Sequence, residues 1–177
     1  MYDSNRVVLV DRKNNVIGTA GKLEAHLKNQ LHRAFSVLIF NENGEMLIQK
    51  RAMDKYHSEG LWANACCSHQ GLDEDCFVAA KRRVQEELGM NCSEFEHFAT
   101  VWYQAKLDKN LFENELVTVV LCRVENDESI QPNPEEVSDF KWFSKDDLLK
   151  DISDKPEKYT YWFKFYIRLF GRDLNFR

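Results

Sequence analysis

The sequence predicts an α+β fold in which a mixed β-sheet is sandwiched between helices. Three observations carry this. Apolar runs of strand length occupy the first third of the chain and return after residue 94. One amphipathic helical segment, over 73–89, separates those two groups of strands. Helix signals then gather after residue 143. Strands, a helix, strands and closing helices do not make the regular alternation of a parallel βαβ sheet.

Val7–Val10 reads as a short strand. Ala34–Phe40 is a continuous apolar run, and Asn41-Glu42-Asn43-Gly44 after it is a turn. Glu45–Arg51 returns from that turn as the second arm of a hairpin. Leu61–Ala65 is short and extended. Asp73 is the expected N-cap of the central helix and Gly89 its C′ residue. Between them Phe77, Ala80, Val84 and Leu88 recur at helical spacing. Phe95–Leu107, Glu115–Val124 and Asp139–Phe143 are strands. Ser144 starts a helix with Asp146 and Asp147 in its first turn. Pro156 is expected to open the last helix and Gly171 to close it. Tyr159 to Phe170 in that segment is aromatic and carries Lys164 and Arg168, as a half-buried helix would.

The 177 residues suit a single domain over 1–177, long enough to bury a core without disulfides. Apolar residues make up 44% and charged residues 30%, so the chain is not of the disordered class. A net charge of −5 and no long Lys/Arg run argue against nucleic acid as a partner. Five cysteines, with Cys66 and Cys67 adjacent and no CxxC pair, do not make a disulfide framework and fit a reducing, cytoplasmic setting. The apolar run after Met1–Arg6 ends at Asp11, too short for a signal peptide or a membrane span.

Four groups of residues carry chemistry. Arg83 and Glu87 share a helix face at i, i+4. Such a face can hold a diphosphate, the arginine directly and the glutamate through Mg²⁺, or be a solvated ion pair. Glu113 and Glu115 lie two apart on a strand, so both carboxylates project to one side and can reach one cation. Val117, Val119 and Leu121 continue that face as an apolar wall. His26 and His32 precede the first long strand, and Cys67 and His69 follow Trp62. An isolated histidine or Cys-x-His is usually structural; the grouping is what singles these residues out.

Two family patterns run through the same residues. Glu74, Arg82, Val84, Glu86, Glu87, Gly89 and Met90 match the Nudix box, G-x5-E-x7-R-E-U-x-E-E-x-G-U with U apolar. Ser68 replaces its first glycine and Arg83 its first paired acid, which removes one metal ligand of a Nudix hydrolase. Trp62, Asn64, Cys67 and His69 match the W-T-N-x-x-C-x-H-P segment of type I isopentenyl-diphosphate isomerases, with Ala63 and Gln70 for its threonine and proline. Leu31-His32-Arg33-Ala34-Phe35-Ser36 resembles that family's L-H-x-A-F-S, and Glu113-Asn114-Glu115 its E-N-E. Glu135-Glu136-Val137 with Lys141-Trp142-Phe143 resembles the late E-V…W-F strand of Nudix domains. The resemblance spans about His26 through Phe143 and weakens beyond, where Tyr159-Thr160-Tyr161-Trp162-Phe163 resembles F-T-P-W-F.

The resemblance implies a Nudix-type sheet with an N-terminal extension, and an enzyme that interconverts isopentenyl and dimethylallyl diphosphate through a tertiary carbocation. It implies Cys67 and Glu115 as proton-transfer groups, with Tyr103 assisting the acid. It implies His26, His32, His69, Glu113 and Glu115 as ligands of one divalent ion, Mn²⁺ or Mg²⁺, with Zn²⁺ as an alternative occupant. Glu87 would carry a diphosphate-bridging Mg²⁺. Lys22, Arg51, Lys55, Arg83 and Trp62 would bind substrate. No tryptophan stands at the family offset of the residue that faces the cation, so that role is left unassigned. The expected enzyme is a cytoplasmic monomer or weak homodimer whose partner is a small diphosphate, with neither nucleic acid nor membrane. The competing reading is a Nudix pyrophosphohydrolase of a nucleoside diphosphate derivative.

Overall fold

A computed structural model describes residues 5–125, 129–171 and 174. The strand β3 (His32–Asn41) is the axis of the sheet, and nine of its ten residues are buried. A strand enclosed on both faces has no polar side to present, which is why Ala34–Phe40 reads as a continuous apolar run. Along one edge β3 pairs in parallel with β8 (Phe112–Val124), from His32 opposite Glu115 to Asn41 opposite Val124. Its other edge is shared by three strands. Leu9 of β1 (Arg6–Val10) lies opposite His32, Ser36 lies opposite Cys67 of β6 (Cys66–Ser68), and Ile39 lies opposite Leu47 of β4 (Met46–Arg51). β2 (Val16–Gly21) pairs with β1, β5 (Trp62–Asn64) and β9 (Val137–Phe143) pair with β4, and β7 (Phe95–Lys106) pairs with β8, all antiparallel.

The twofold alternation of β3 divides the core. Ala34, Leu38 and Phe40 pack with Leu148 of α3 (Lys145–Asp154) and with Phe163, Tyr166 and Ile167 of α4 (Tyr161–Phe170). Phe35, Val37 and Ile39 pack on the other face with Ala80, Val84 and Leu88 of α2 (Cys76–Leu88). The expected mixed sheet between helices is thus what forms. Among the described residues no helix is long and apolar enough to cross a membrane. Residues 1–4, part of the segment read above for targeting, lie outside the described residues.

Local readings fare unevenly. Gly89 caps α2 in the left-handed conformation at φ 66°, and a Cβ there would come within 2.7 Å of the Gln131 carbonyl oxygen. Ser144 caps α3 by accepting from the Asp147 N–H. The N-cap of α2 is Asp75, not Asp73; its carboxylate accepts from the backbone N–H groups of Phe77 and Val78. Residues 71–74 form a turn closed by Glu74, which accepts from the Gly71 N–H and pairs with Arg82, so the helix starts later. Phe77 then falls in the first turn and is 38% exposed instead of joining the apolar face. Pro156 opens only a 3₁₀ turn over Pro156–Lys158. Tyr159 bridges to Trp62, the Thr160 N–H donates to the Trp62 carbonyl, and α4 starts after Thr160. β2 and the six-residue α1 (Lys22–Leu27) were not foreseen; α1 is too short to show a helical period.

Replacing Asp75 by alanine strips two N–H groups of their acceptor and should cost about 1 kcal/mol. For a chain of this size that lowers the melting temperature by roughly 2–4 °C, measurable by calorimetry, whereas Asp73→Ala should leave it in place.

Candidate active site

At the start of β3 the sheet opens onto a cavity of about 410 Å³. Four elements aim side chains into it for simple geometrical reasons. Ser36 of β3 lines it, whereas His32 on the same strand face is fully buried and does not, and Glu113 and Glu115 share one face of β8. Cys67 stands across the other edge of β3, opposite Ser36. Tyr103 of β7 stands opposite Glu115 and donates its hydroxyl to Glu115 Oε2 at 2.8 Å. The three proton-transfer residues expected from the sequence therefore meet one cavity, Cys67 from one side of β3 and Glu115 with Tyr103 from the other.

The imidazoles form a buried cluster with the acids. His26, on α1, is 1% exposed and His32 is fully buried. Donor atoms of His26, His32, His69 and Glu115 lie within 4.8 Å of one another, and those of His26, His57 and Glu113 form a second such group. Backbone carbonyls fix two tautomers: His26 Nδ1 donates to Phe112 O and His32 Nδ1 to Gln30 O, both at 2.8 Å. The lone pairs are thereby left on Nε2, and neither Nε2 atom has a hydrogen-bond partner among the described residues. His32 Nε2 faces Glu115 Oε1 at 3.3 Å, so two electron-rich atoms oppose each other unless a cation lies between them. Glu113 Oε2 is likewise buried and unpartnered. Burial drives His26 down to about 4 and His69 to about 3, so both rings are neutral near pH 7, as ligation requires. Orphaned buried atoms, fixed tautomers and a mixed N/O donor set all fit a divalent metal ion.

The two carboxylates differ. Burial, then the neighbouring Glu115 charge, pushes Glu113 well above the usual range. Burial also acts on Glu115, but positive charge shared at Oε1 with His32 and His69, as a proton or an ion between the atoms, holds it well below that range. The Cys67 thiol is pushed by burial to about 12, against the pull of Ser36 and Asn64. It donates to Asn64 Oδ1 at 3.1 Å and lies 3.3 Å from Ser36 Oγ, so the proton stays on sulfur at neutral pH.

The cations expected to meet a diphosphate also face the cavity: Lys22, Arg51, Lys55 and Arg83. Burial, then repulsion from Arg51, Arg83 and Lys55, lowers the proton affinity of Lys22. A buried lysine repelled by three further cations of the same cavity lining suits an anion. Lys55 pairs with Glu136. Arg83 holds Glu87 at 2.7 Å and reaches Glu136 at 3.3 Å. Glu87 is therefore not a solvated partner of Arg83: it is 3% exposed, and its other oxygen accepts from Gln49.

Trp62 is the exception. It does not line the cavity; its ring packs beside the α4 core and lies under the Lys141 ammonium, 5.0 Å from the ring centroid. β5 presents it on the face away from the buried Ala63. Another tryptophan is there instead. Trp162 lines the cavity, with its ring 5.9 Å from His57 and the Arg51 guanidinium 5.3 Å from its centroid. The sequence showed it only inside a weakened terminal match. Tyr56 and His57 were also missed, and neither belongs to a recognisable spacing.

Residues 30–163 match the model of the NUDIX domain family. Isopentenyl-diphosphate Delta-isomerase 1 of Aromatoleum aromaticum is 43% identical over 158 residues, covering 89% of this chain and 88% of that protein. The chain belongs to the isopentenyl-diphosphate Delta-isomerase family of NUDIX-domain proteins. Isopentenyl-diphosphate Delta-isomerase 2 of Photorhabdus laumondii is 44% identical over the same shares of the two chains. Among solved structures, the MutT NUDIX hydrolase of Burkholderia pseudomallei superposes with a TM-score of 0.62 at 20% identity, over 78% of this chain and 97% of that one. That likeness shows the fold alone. Within the family's box, Glu74 and Arg82 form a two-point ion pair that closes the turn before α2, while Arg83 stands where a hydrolase carries an acid.

Proposed function

We propose that the chain interconverts isopentenyl diphosphate and dimethylallyl diphosphate. One observation carries the reading: a protonated thiol and a tyrosine-bonded carboxylate reach one cavity from opposite edges of the same strand, beside a wall of cations. Transposing the double bond needs a proton added at the terminal methylene carbon and another removed two carbons away. Cys67 Sγ and Glu115, assisted by the Tyr103 hydroxyl, are the pair for these transfers, and they exchange roles when the reaction runs backwards. Lys22, Arg51, Lys55 and Arg83 hold the diphosphate and orient the carbon chain towards the apolar side of the cavity. Positive charge develops on the tertiary carbon between the two transfers. The π faces of Trp162 and Tyr103 suit that charge, and α4 behind them keeps out water that would trap the cation as an alcohol.

His26, His32, His69, Glu113 and Glu115 would hold a divalent ion, Mn²⁺, Mg²⁺ or Zn²⁺, and Glu87 a Mg²⁺ shared with the diphosphate. When bound, these ions supply charge that tunes the proton affinity of Glu115 and neutralises the diphosphate. The same reading makes the protein a cytoplasmic, single-domain enzyme, monomeric or weakly dimeric, acting on a small molecule without nucleic acid or membrane.

Incubating the purified chain with Mg²⁺ and isopentenyl diphosphate in D₂O should yield dimethylallyl diphosphate carrying deuterium, read by NMR. Release of phosphate, or an inert isoprenyl diphosphate with hydrolysis of a nucleoside diphosphate derivative, would replace this reading by a hydrolase. Arg83, tied to Glu86 and Glu87 in place of the hydrolase acid, speaks against that outcome.

A further inference from the structure

His57 belongs to none of the motifs above, yet it is 6% exposed and its ring stands at the edge of the histidine cluster, 5.6 Å from that of His26. Its backbone is pinned. The Arg51 guanidinium donates to the carbonyls of His57 and Ser58, and Ser58 adopts the left-handed conformation at φ 51°. Its Nδ1 lies 3.3 Å from the Ser58 hydroxyl, which satisfies that nitrogen and turns Nε2 inward. Nε2 then faces Glu113 Oε1 at 3.4 Å.

That separation resembles those of the other imidazoles from their acid. His69 Nε2 and His32 Nε2 stand 3.0 and 3.3 Å from Glu115 Oε1. Neighbouring donors on a six-coordinate ion with bonds of about 2.1 Å stand roughly 3 Å apart. The two donor groups, one with Glu115 and one with Glu113 and His57, share His26. A neutral imidazole whose Nδ1 hydrogen is given to Phe112 O has one lone pair, so His26 can serve one ion only. The two groups meet at His26, but His57 and Glu113 are not within 4.8 Å of every donor of the first group, so one sphere that held all six donors would draw them inward by a fraction of an ångström to the ion.

We propose that His57 is a direct ligand of the divalent ion, completing a sphere of four imidazoles and two carboxylates. This rests on the reading of the cluster as a metal centre. A fourth imidazole shifts the donor set from hard oxygen towards nitrogen, which favours Mn²⁺ and later first-row ions over Mg²⁺.

The test is a calorimetric titration of metal-stripped full-length protein with Mn²⁺ and, separately, Mg²⁺, on wild type, His57→Ala and His57→Gln. Pulsed electron paramagnetic resonance of the Mn²⁺-loaded proteins counts the imidazole nitrogens on the ion. The expected result is one Mn²⁺ per chain, with affinity falling about a hundredfold or more in both variants, a smaller loss for Mg²⁺, and four coordinated imidazoles becoming three. The glutamine can still donate to Glu113, so full recovery of Mn²⁺ affinity in His57→Gln would make His57 a hydrogen-bonding neighbour and overturn the proposal. Equal affinity in wild type and His57→Ala, or three imidazoles in wild type, overturns it while leaving the metal centre intact. A wild type that binds no Mn²⁺ overturns the centre and the proposal together. Should the alanine variant fail to fold, the wild-type nitrogen count and the glutamine variant decide.

Discussion

Cys67→Ala should lower turnover by roughly 10²–10⁴-fold, the contribution of one positioned proton-transfer group, with little change in the affinity for isopentenyl diphosphate. The thiol stands beside Ser36 and Asn64, while Lys22, Arg51, Lys55 and Arg83, the proposed diphosphate contacts, come from other elements. Ground-state binding and proton transfer therefore separate in space, and the loss should appear in kcat, not KM. Cys67→Ser is the sharper comparison. A hydroxyl keeps the contacts to Asn64 Oδ1 and Ser36 Oγ but binds its proton far more tightly than a thiol already pushed to about 12. Serine should restore the fold's stability and not the rate. Isotope uptake from D₂O at the substrate, followed by NMR, checks both variants. A serine variant as active as wild type would show that the thiol's acidity is irrelevant and that Cys67 is a packing residue.

Removing divalent ions with a chelator should abolish isomerisation and lower the melting temperature by roughly 8–16 °C. The second figure follows from linkage. An ion present at about a thousand times its dissociation constant stabilises the folded state by about 4 kcal/mol, and in a domain of this size each kcal/mol is worth about 2–4 °C. The structure explains why the effect should be large. His32 Nε2 and Glu115 Oε1 oppose each other at 3.3 Å, Glu113 Oε2 is buried without a partner, and the two acids stand on one strand face. Without a positive ion the cluster must take up protons to relieve these contacts, which Glu113, pushed above the usual range, does most readily. Mn²⁺ should restore the melting temperature and activity together. A melting temperature indifferent to chelator would mean that the cluster is held by protons alone.

Much of the site was legible because strand periodicity is strict. Two acids spaced i, i+2 had to share a face, and Glu113 and Glu115 do share one. A buried strand had to be apolar throughout, and Ala34–Phe40 marked the sheet's centre. What failed depends on contacts distant in sequence. Nothing near Asp75 says that Glu74 is already committed to Arg82, so the cap was read two residues early. Trp62 sits in a strong motif, but the side of β5 it takes is set by pairing with β4. Trp162 reaches the cavity because the Tyr159–Trp62 bridge delays α4 past Pro156, a register that no local pattern encodes. His57 is brought inward by Arg51 through backbone carbonyls, which have no sequence signature.

The parallel pairing of β3 with β8 also governs when the site can come into being. His32 and Glu115 are register partners about eighty positions apart along the chain, and Tyr103 is carried in by a strand that, among the described residues, pairs with β8 alone. Such distant pairing is slow to nucleate. On a ribosome, His26, His32, His57 and His69 all emerge long before either acid that would share an ion with them. Four of the six proposed donors, all imidazole, precede the two carboxylates during synthesis. On the proposed reading of the cluster as a metal centre, the acids would therefore be the last donors to arrive, and the sphere would close only once β8 has paired with β3.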